Sequence, residues 1–529
     1  MKNIFNIYRD FYAKSKFLIL GFVFLSMVCN IIIIVIPIIN ARIIDSAVYF
    51  EGLNIFFKFV IWGILIHVIF SFIMPYFNYL ALKIKTDATT ELRKKIISRI
   101  PLLHFEIKKQ TSIGHILQLV NDDLENTSSL VMSDFIDFLC QVVYFIAILY
   151  IVLKINITLA LLLFTISLPL VIVSKIMIPK IQKMYRESIE NNEEVKNITE
   201  SVYSGSLAIK LVNAYEVINK KINTIVSAQY KTLMKYNKIT VIHYHFFTAS
   251  TMNVGRVAVI ILGAYMIIQG NVSVGSLTLL TTYFGGLWGT YSFFFGFWAS
   301  FKEKMVSIDR IVSFFNLPIE SSDGELFNEF ASMVMSDVSY SIDEKNILSN
   351  ICFTIKRGDK VLISGDNGSG KSTLVRLLVG LMSPSSGSIV YNGTELSNYN
   401  LHSLRKRVCF IPAEPYVFFG SLEDNFYTYG LSSALIDEKK YQSIAKEGSN
   451  LSSGEKKRLQ LATGMQQHCD IYILDEPLNF VDDVSKKEIV EIIKKEFSEK
   501  TLIVISHDSN QFDFFKDKYV MESGILRKL

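Results

Sequence analysis

At 529 residues the chain has room for two or three domains, and half of its residues are apolar against 19% charged, greasy for a soluble protein of this size and suggestive of a membrane portion. A formal net charge of +5 is small for this length and gives no reason to invoke nucleic acid. The five cysteines, Cys29, Cys140, Cys352, Cys409 and Cys469, are scattered without CxxC pairing, which argues against a disulfide framework or zinc site and for small buried hydrophobes.

The N-terminus carries Lys2, Arg9, Lys14 and Lys16, after which residues 17–41 run apolar for long enough to cross a bilayer. A signal peptide is excluded by that length and by the lack of a small-residue cleavage site. Further spans are expected over 56–82, 135–153, 157–178, 239–268 and 277–301, six helices in all. Their connections alternate. The segment 83–134 is long and holds Lys83, Lys85, Arg93, Lys94, Lys95, Arg99, Lys108 and Lys109, and the one between spans four and five is also long and Lys-rich. The intervening loops, at 154–156 and 269–271, are short and nearly uncharged. The positive-inside bias then places both termini and both long loops in the cytoplasm. Charged and apolar residues alternate at helical spacing through 90–99 and 185–211, so the long loops read as helical extensions of the spans.

Polar groups within spans are costly and mark cavities or pairs. His67, Lys175, His243, His245 and Arg256 fall in the expected spans, and Asp134 and Asp137 at the start of the third. The two acids and Lys175 are expected near interfaces, where acids stay wet and a long side chain snorkels. Arg256 lies deeper, where it faces a central aqueous path or pairs structurally. Span six is dense in aromatics and glycine from Tyr283 to Trp298; helix packing and an interfacial belt account for most of that, and an aromatic wall for an amphipathic substrate is the sharper alternative.

Composition turns soluble after a polar stretch at 320–325, so the domain boundary is set near 320, giving 1–319 as a membrane domain and 320–529 as a second domain. Past it, strand and helix patterns alternate, the signature of an α/β core with a largely parallel sheet. At its heart stands Gly365-Asp366-Asn367-Gly368-Ser369-Gly370-Lys371-Ser372-Thr373, between the apolar run 361–364 and the helical pattern 374–378. Glycines at this spacing let backbone N–H groups turn inward around a phosphate while the new helix aims its positive end at the same anion. Lys371 is placed to reach the β- and γ-phosphates and the Ser372 hydroxyl to sit on Mg²⁺.

Downstream, the apolar strand 471–474 ends in Asp475-Glu476. Such a dipeptide is a weak signal alone, but beside an intact phosphate loop Asp475 can hold Mg²⁺ and Glu476 can orient or deprotonate an attacking water. Ser452-Ser453-Gly454-Glu455 opens a helix, either as a simple Ser-x-x-Glu capping sequence or as a further anion-holding helix N-terminus. The strand 501–505 leads to His507, a structural histidine unless a phosphate lies nearby.

Together these residues resemble the ATP-binding cassette (ABC) exporters, in which a membrane all-α six-helix domain is followed by an α/β P-loop ATPase domain, and the resemblance covers nearly the whole chain. In that likeness 365–373 matches the Walker A loop, 471–475 Walker B, Glu476 the catalytic glutamate, 451–455 the signature, Asp482 the D-loop acid and His507 the switch histidine. The sequences 270–275 before span six and 307–311 after it also look like the family. The resemblance implies ATP and Mg²⁺ as ligands, with catalysis by Glu476, His507 and Lys371. It implies a second half-transporter subunit, identical or different, whose Ser452 and Gly454 would contact the γ-phosphate held by Lys371. It implies export from the cytoplasm of a substrate, first a modified peptide such as a bacteriocin; a lipid or lipid-linked-sugar flippase, a multidrug exporter and an ATP-gated channel are the alternatives. About 16 residues precede span one, so no peptidase-like Cys/His domain is expected there and leader cleavage is expected of another protein. The chain departs from the family at Pro412-Ala413, where Pro-Gln is usual, and at Ile342, where an adenine-stacking aromatic is usual and for which Tyr340 is the substitute. It departs also at Ser453 and Glu455 in the signature, at Asn479-Phe480 in the D-loop, and in a short stretch between 413 and 451.

Overall fold

Long apolar runs with no internal capping sequence become long helices because every backbone group is then satisfied within the segment, which hydrocarbon demands. In a computed structural model, which describes the chain except residues 1, 111–112, 244–248, 321–322, 343–344, 419, 426–434, 437–440, 442–443 and 445–447, helices cover Lys2–Val48, Leu53–Arg99, Phe135–Ile155, Ile157–Ser204, Tyr215–Val241, Ser250–Ile268 and Val274–Asn316. Among the described residues, four helical stretches, Ile7–Val48, Leu53–Leu102, Ile113–Ile155 and Ser250–Ile268, are long and apolar enough to cross a bilayer. The expected spans over 157–178 and 277–301 lie on the 48-residue and 43-residue helices that begin at Ile157 and Val274. Pro37 and Pro75 are accommodated inside the first two helices. His245 and most of the short stretch before the signature lie outside the described residues.

The chain divides into two compact units, one of 1–98 with 113–316 and one of 99–112 with 317–529. In the first, the helix Val274–Asn316 forms the spine of a core made by Ile148, Val152, Val259, Leu280, Tyr283, Phe284 and Trp288. Tyr283 donates to the Ile34 carbonyl at 2.6 Å, and Thr290 to Gln141 at 3.0 Å. Large apolar side chains such as Phe17, Phe24 and Phe72 stand exposed on the outer faces of spans, as a lipid solvent requires. The Asp45 carboxylate accepts from the Gly275 N–H at 2.7 Å and from Ser273 Oγ at 2.8 Å, capping the helix that opens at Val274 from across the bundle. Asp134 pairs with Lys304, and Asp123, 1% exposed, takes a two-point bond from Arg310 at 2.6 and 2.8 Å. His67 bonds the Gly63 carbonyl one turn back, and Arg256, exposed, donates to Asn253 on its own helix at 3.4 Å.

Among the described residues the second unit holds ten strands. β1 (Ser332–Ile342), β2 (Lys345–Lys356), β4 (Ser386–Tyr391) and β5 (Thr394–Glu395) form an antiparallel sheet ordered β2-β1-β4-β5. β3 (Lys360–Gly365), β6 (Val408–Ile411), β7 (Ile471–Asp475), β8 (Thr501–Ile505), β9 (Asp517–Glu522) and β10 (Ile525–Lys528) form the other, ordered β10-β9-β3-β8-β7-β6 and parallel except for the β9–β10 hairpin. β7 and β8 are buried at every residue, as expected of strands covered on both faces. Of the cysteines, Cys29, Cys409 and Cys469 are buried, but Cys352 is exposed, because the outward face of β2 carries it.

The segment 99–112, in the sequence part of the first long loop, packs within this unit. Leu103 bridges Ile319, and Glu320 N–H donates to the Leu102 carbonyl at 2.8 Å. The short helix Phe105–Gln110 lays Phe105 under the Arg376 guanidinium, 5.5 Å from the ring centre, and Glu106 accepts from Tyr340 Oη at 3.2 Å.

Candidate functional site

Parallel strands deliver their C-terminal ends to one edge of the sheet, and that edge is where ligands of such sheets are bound. The sequence-based candidates on β3, β7 and β8 meet there. β3 ends at Gly365, whose backbone has φ +148° and where a Cβ would stand 2.2 Å from the Met521 carbonyl oxygen, so only glycine fits. The loop 366–370 then turns into the helix Lys371–Leu378, with Gly370 as a left-handed N-cap. Asp366, Asn367 and Gly368 are exposed, whereas Ser369 and Lys371 are buried. Lys371 Nζ folds back onto the Gly365 and Asp366 carbonyls at 2.7 and 2.8 Å, which keeps its ammonium inside the loop. The Ser369 hydroxyl is buried with no hydrogen-bond partner among the described residues, a group open to an acceptor or donor from outside the fold.

One strand over from β8, β7 brings Asp475 to within 3.3 Å of the Ser372 hydroxyl, which donates to it. Asp475 is 4% exposed; burial first, and the neighbouring Glu476 charge second, hold its carboxyl above the usual carboxylate range. Glu476 itself adopts φ +46°, a left-handed conformation uncommon for a non-glycine residue, fixed by its N–H donating to the Ile505 carbonyl at 2.8 Å. Its carboxylate receives His507: the backbone N–H at 3.0 Å to Oε1, and the ring Nδ1 at 2.8 Å from Oε2. Lys371, Ser372, Asp475, Glu476 and His507 thus form one continuous constellation across β3, β8 and β7.

Ser452, Gly454 and Asp482 make other contacts in this chain. Ser452 caps the helix Ser453–Met465 with a full capping box, its hydroxyl accepting from Glu455 N–H while Glu455 Oε2 accepts from Ser452 N–H. The Glu455 departure from the family pattern therefore closes a local cap. Gly454 faces the Phe480 carbonyl, 3.0 Å from where a Cβ would sit, and Asp482 caps the helix Asp483–Glu496 through Ser485 N–H. That bond is the first cause holding the Asp482 carboxyl below its ordinary value. Thr373 lies in the first turn of the helix behind the loop, half-buried.

One reading of the departures changes. Tyr340 is no stand-in for an adenine-stacking ring: it is 7% exposed, part of the core, and its hydroxyl is bound to Glu106. Ile342, the last residue of β1, is 40% exposed, whereas Tyr340 two residues before it is buried. Ala413 follows β6 and offers only its carbonyl, which accepts from Lys457 Nζ. Lys457 is absent from the sequence-based candidates; its signal was a lysine on the helix face shared with Leu461 and Gly464, a register that calls for apolar or small residues.

Comparison with known proteins places this geometry. The ABC transporter transmembrane region matches residues 18–291, more than half of the chain, and the ABC transporter nucleotide region matches 348–479. The lactococcin transport/processing ATP-binding protein LcnC-like of Lactococcus lactis is 28% identical over 292 residues, 51% of this chain and 40% of that protein, so the match spans less than half the relative's length. The SPbeta prophage-derived sublancin-168-processing and transport ATP-binding protein SunT of Bacillus subtilis is 22% identical over 87% of this chain and 68% of its own. A solved structure of a bacterial Atm1-family ABC exporter with ATP bound superposes with a TM-score of 0.83 at 17% identity, over 97% of this chain and 95% of that one, which establishes the fold. A helical region of exporter fold joined to one nucleotide region is the layout of a half-transporter, and the chain belongs to the ABC transporter family.

Proposed function

We propose that the chain is one half of an ATP-driven exporter that carries a modified peptide out of a bacterial cytoplasm across the cytoplasmic membrane. In this reading 1–319 is the membrane domain, save that 99–112 packs with the C-terminal unit, and 320–529 is the cytoplasmic nucleotide domain. The observation that carries it is the constellation at the β3–β8–β7 edge: a phosphate loop with a buried, unpartnered Ser369 hydroxyl beside a carboxylate whose two oxygens His507 occupies.

ATP is the substrate this site fits. The loop N–H groups and Lys371 bind the triphosphate, and Asp366 to Thr373 make the cradle. Glu476 accepts a proton from the attacking water, and His507 fixes the carboxylate for that task. No cluster of three metal-ligating His, Cys, Asp or Glu side chains exists among the described residues, which suits an ion that keeps waters and phosphate oxygens as most of its ligands. Mg²⁺ fits: Ser372 and Asp475 would hold it, the cation offsetting the cost of burying the charged acid. When bound it neutralises charge on the phosphates. Ser452, Gly454 and Asp482 would serve the site of a partner half-transporter, identical or not, by the family's head-to-tail closure.

The peptide substrate rests on the likeness to the lactococcin and sublancin transport proteins. Inverted vesicles holding the chain and any partner test the whole reading: ATP-hydrolysis-dependent uptake of a ribosomal peptide supports it. Passive flux that needs ATP binding alone would instead mark a gated channel, a reading favoured by Ala413 at the position where the family carries a glutamine.

A further inference from the structure

The helix Ser453–Met465 is buried on more than one side, with Leu459, Leu461 and Ala462 in the core. Lys457 is buried with them, at 0% exposure. An isolated ammonium does not go there without partners. Its Nζ lies 2.8 Å from the Pro412 carbonyl, 3.2 Å from the Ala413 carbonyl and 3.3 Å from the Asp475 carbonyl. An ammonium has three N–H groups and no lone pair, so three converging carbonyls match it in number. Burial pulls this lysine down to about 8, while the Asp475 and Glu476 carboxylates push the other way.

The three carbonyls belong to two separate segments, which leave parallel neighbouring strands at the same edge of the sheet, and one of them carries the hydrolytic acids. Pro412 and Ala413 are the turn leaving β6; Asp475 ends β7. Within that turn no side chain offers a hydrogen bond, since proline and alanine have none to give. The ladder between β6 and β7 stops at Ile411 with Leu474, so beyond it the two backbones are joined by Lys457 instead.

We propose that Lys457 is a positioning residue of the hydrolytic site, its ammonium clamping the Pro412–Ala413 turn and the end of β7 to the helix that the signature opens. The clamp holds the backbone from which Asp475 and Glu476 project, and it makes that backbone answer to movement of the signature helix. The inference rests on the ATP-hydrolysis reading above.

Two measurements on the full-length protein in lipid nanodiscs, with any partner it needs, separate the clamp from that reading. The first is steady-state phosphate release for Lys457→Met, which keeps the length and removes every donor, and for Lys457→Gln, which keeps two. Expected are a fall in kcat of about tenfold or more for the methionine variant with KM for ATP within about twofold, and partial recovery in the glutamine variant. The second is amide hydrogen exchange over 413–418, expected to quicken in the methionine variant while exchange over 366–373 stays as in the parent. If the methionine variant does not fold, the glutamine variant decides by the same two readouts. Parent-like kcat together with parent-like exchange at 413–418 overturns the clamp, as does a joint loss of kcat and ATP affinity. A parent that releases no phosphate overturns the hydrolysis reading, and the exchange measurement still decides the clamp.

Discussion

His507 grips Glu476 at both carboxylate oxygens, with the backbone N–H 3.0 Å from one and the ring Nδ1 2.8 Å from the other. The two residues sit at the ends of adjacent strands, and the left-handed Glu476 backbone, φ +46°, turns the acid across the sheet edge to meet the histidine. Strain of this kind persists where the surroundings over-determine it, commonly at functional sites.

Glu476→Gln is therefore expected to lower phosphate release by about 10² or more, because the amide cannot take a proton, while ATP affinity stays within about twofold. His507→Ala removes one of the two bonds and leaves the main-chain N–H, so its loss should be smaller, about tenfold. Steady-state phosphate release and equilibrium nucleotide binding check both. Near-parental release by Glu476→Gln would remove the acid from its role.

Adenine contacts are expected to come from somewhere other than Tyr340. Its hydroxyl is held by Glu106 and its ring is in the core, so Tyr340→Phe should change ATP affinity less than about twofold and lower thermal stability by about 1 kcal/mol for the lost hydrogen bond. Ile342→Tyr places a ring at a 40% exposed position on the end of β1 and should tighten ATP binding. Fluorescent-nucleotide titration of the two variants tests this. Weaker binding by Tyr340→Phe, or none of the gain from Ile342→Tyr, would contradict it.

That pair of residues also marks where the sequence stops being legible. The phosphate loop, the Asp475-Glu476 strand end and the capping sequence at Ser452 are local: each is fixed by neighbours within about ten residues, so spacing reveals them. The membrane helices are legible for the same reason, since 20 or so apolar residues in a row admit few other structures. Tyr340 and Glu106 are 234 positions apart, and nothing in either neighbourhood announces the bond. The placement of 99–112 with the C-terminal unit follows from such distant contacts. A strand read alone also does not show that Tyr340 is buried while Ile342, at the strand end, is 40% exposed. Lys457 was hidden because a lysine on a charged helix surface is ordinary until the helix is known to bury that face.

In the membrane unit, Gly275 is expected to be among the least substitutable positions. A Cβ there would lie 2.1 Å from the Ala41 carbonyl oxygen and 2.6 Å from Asp45 Cγ, so the helix beginning at Val274 would have to withdraw from the first helix. Gly275→Ala should cost about 1–3 kcal/mol of stability. Asp45→Ala keeps the approach but strips the acceptor from the Gly275 N–H and the Ser273 hydroxyl, and should cost about 1–2 kcal/mol. Thermal unfolding in detergent, followed by loss of the monodisperse peak, measures both. An alanine at 275 that melts with the parent would show that the two helices have room to part.

Asp475 sets stability against function. Its carboxyl titrates above its unfolded value because burial and the Glu476 charge disfavour ionisation. Below the unfolded value both states are protonated and the group contributes nothing. Between the unfolded value and the raised folded value the unfolded state ionises while the folded state stays protonated, so the penalty grows with pH and is complete above the folded value. Asp475→Asn should therefore raise the melting temperature of the nucleotide-free protein above the raised value, and the gain should shrink as pH falls from there towards the unfolded value. A cation at Ser372 and Asp475 reverses the penalty in the parent, so the extra stabilisation that Mg²⁺ adds to ATP should be present in the parent and lost in the asparagine variant. Melting scans with ATP and EDTA, then ATP and excess Mg²⁺, across pH distinguish the two proteins. If the asparagine variant is less stable without nucleotide, or keeps the Mg²⁺-dependent gain, the buried acid is neither a strained group nor the metal's holder.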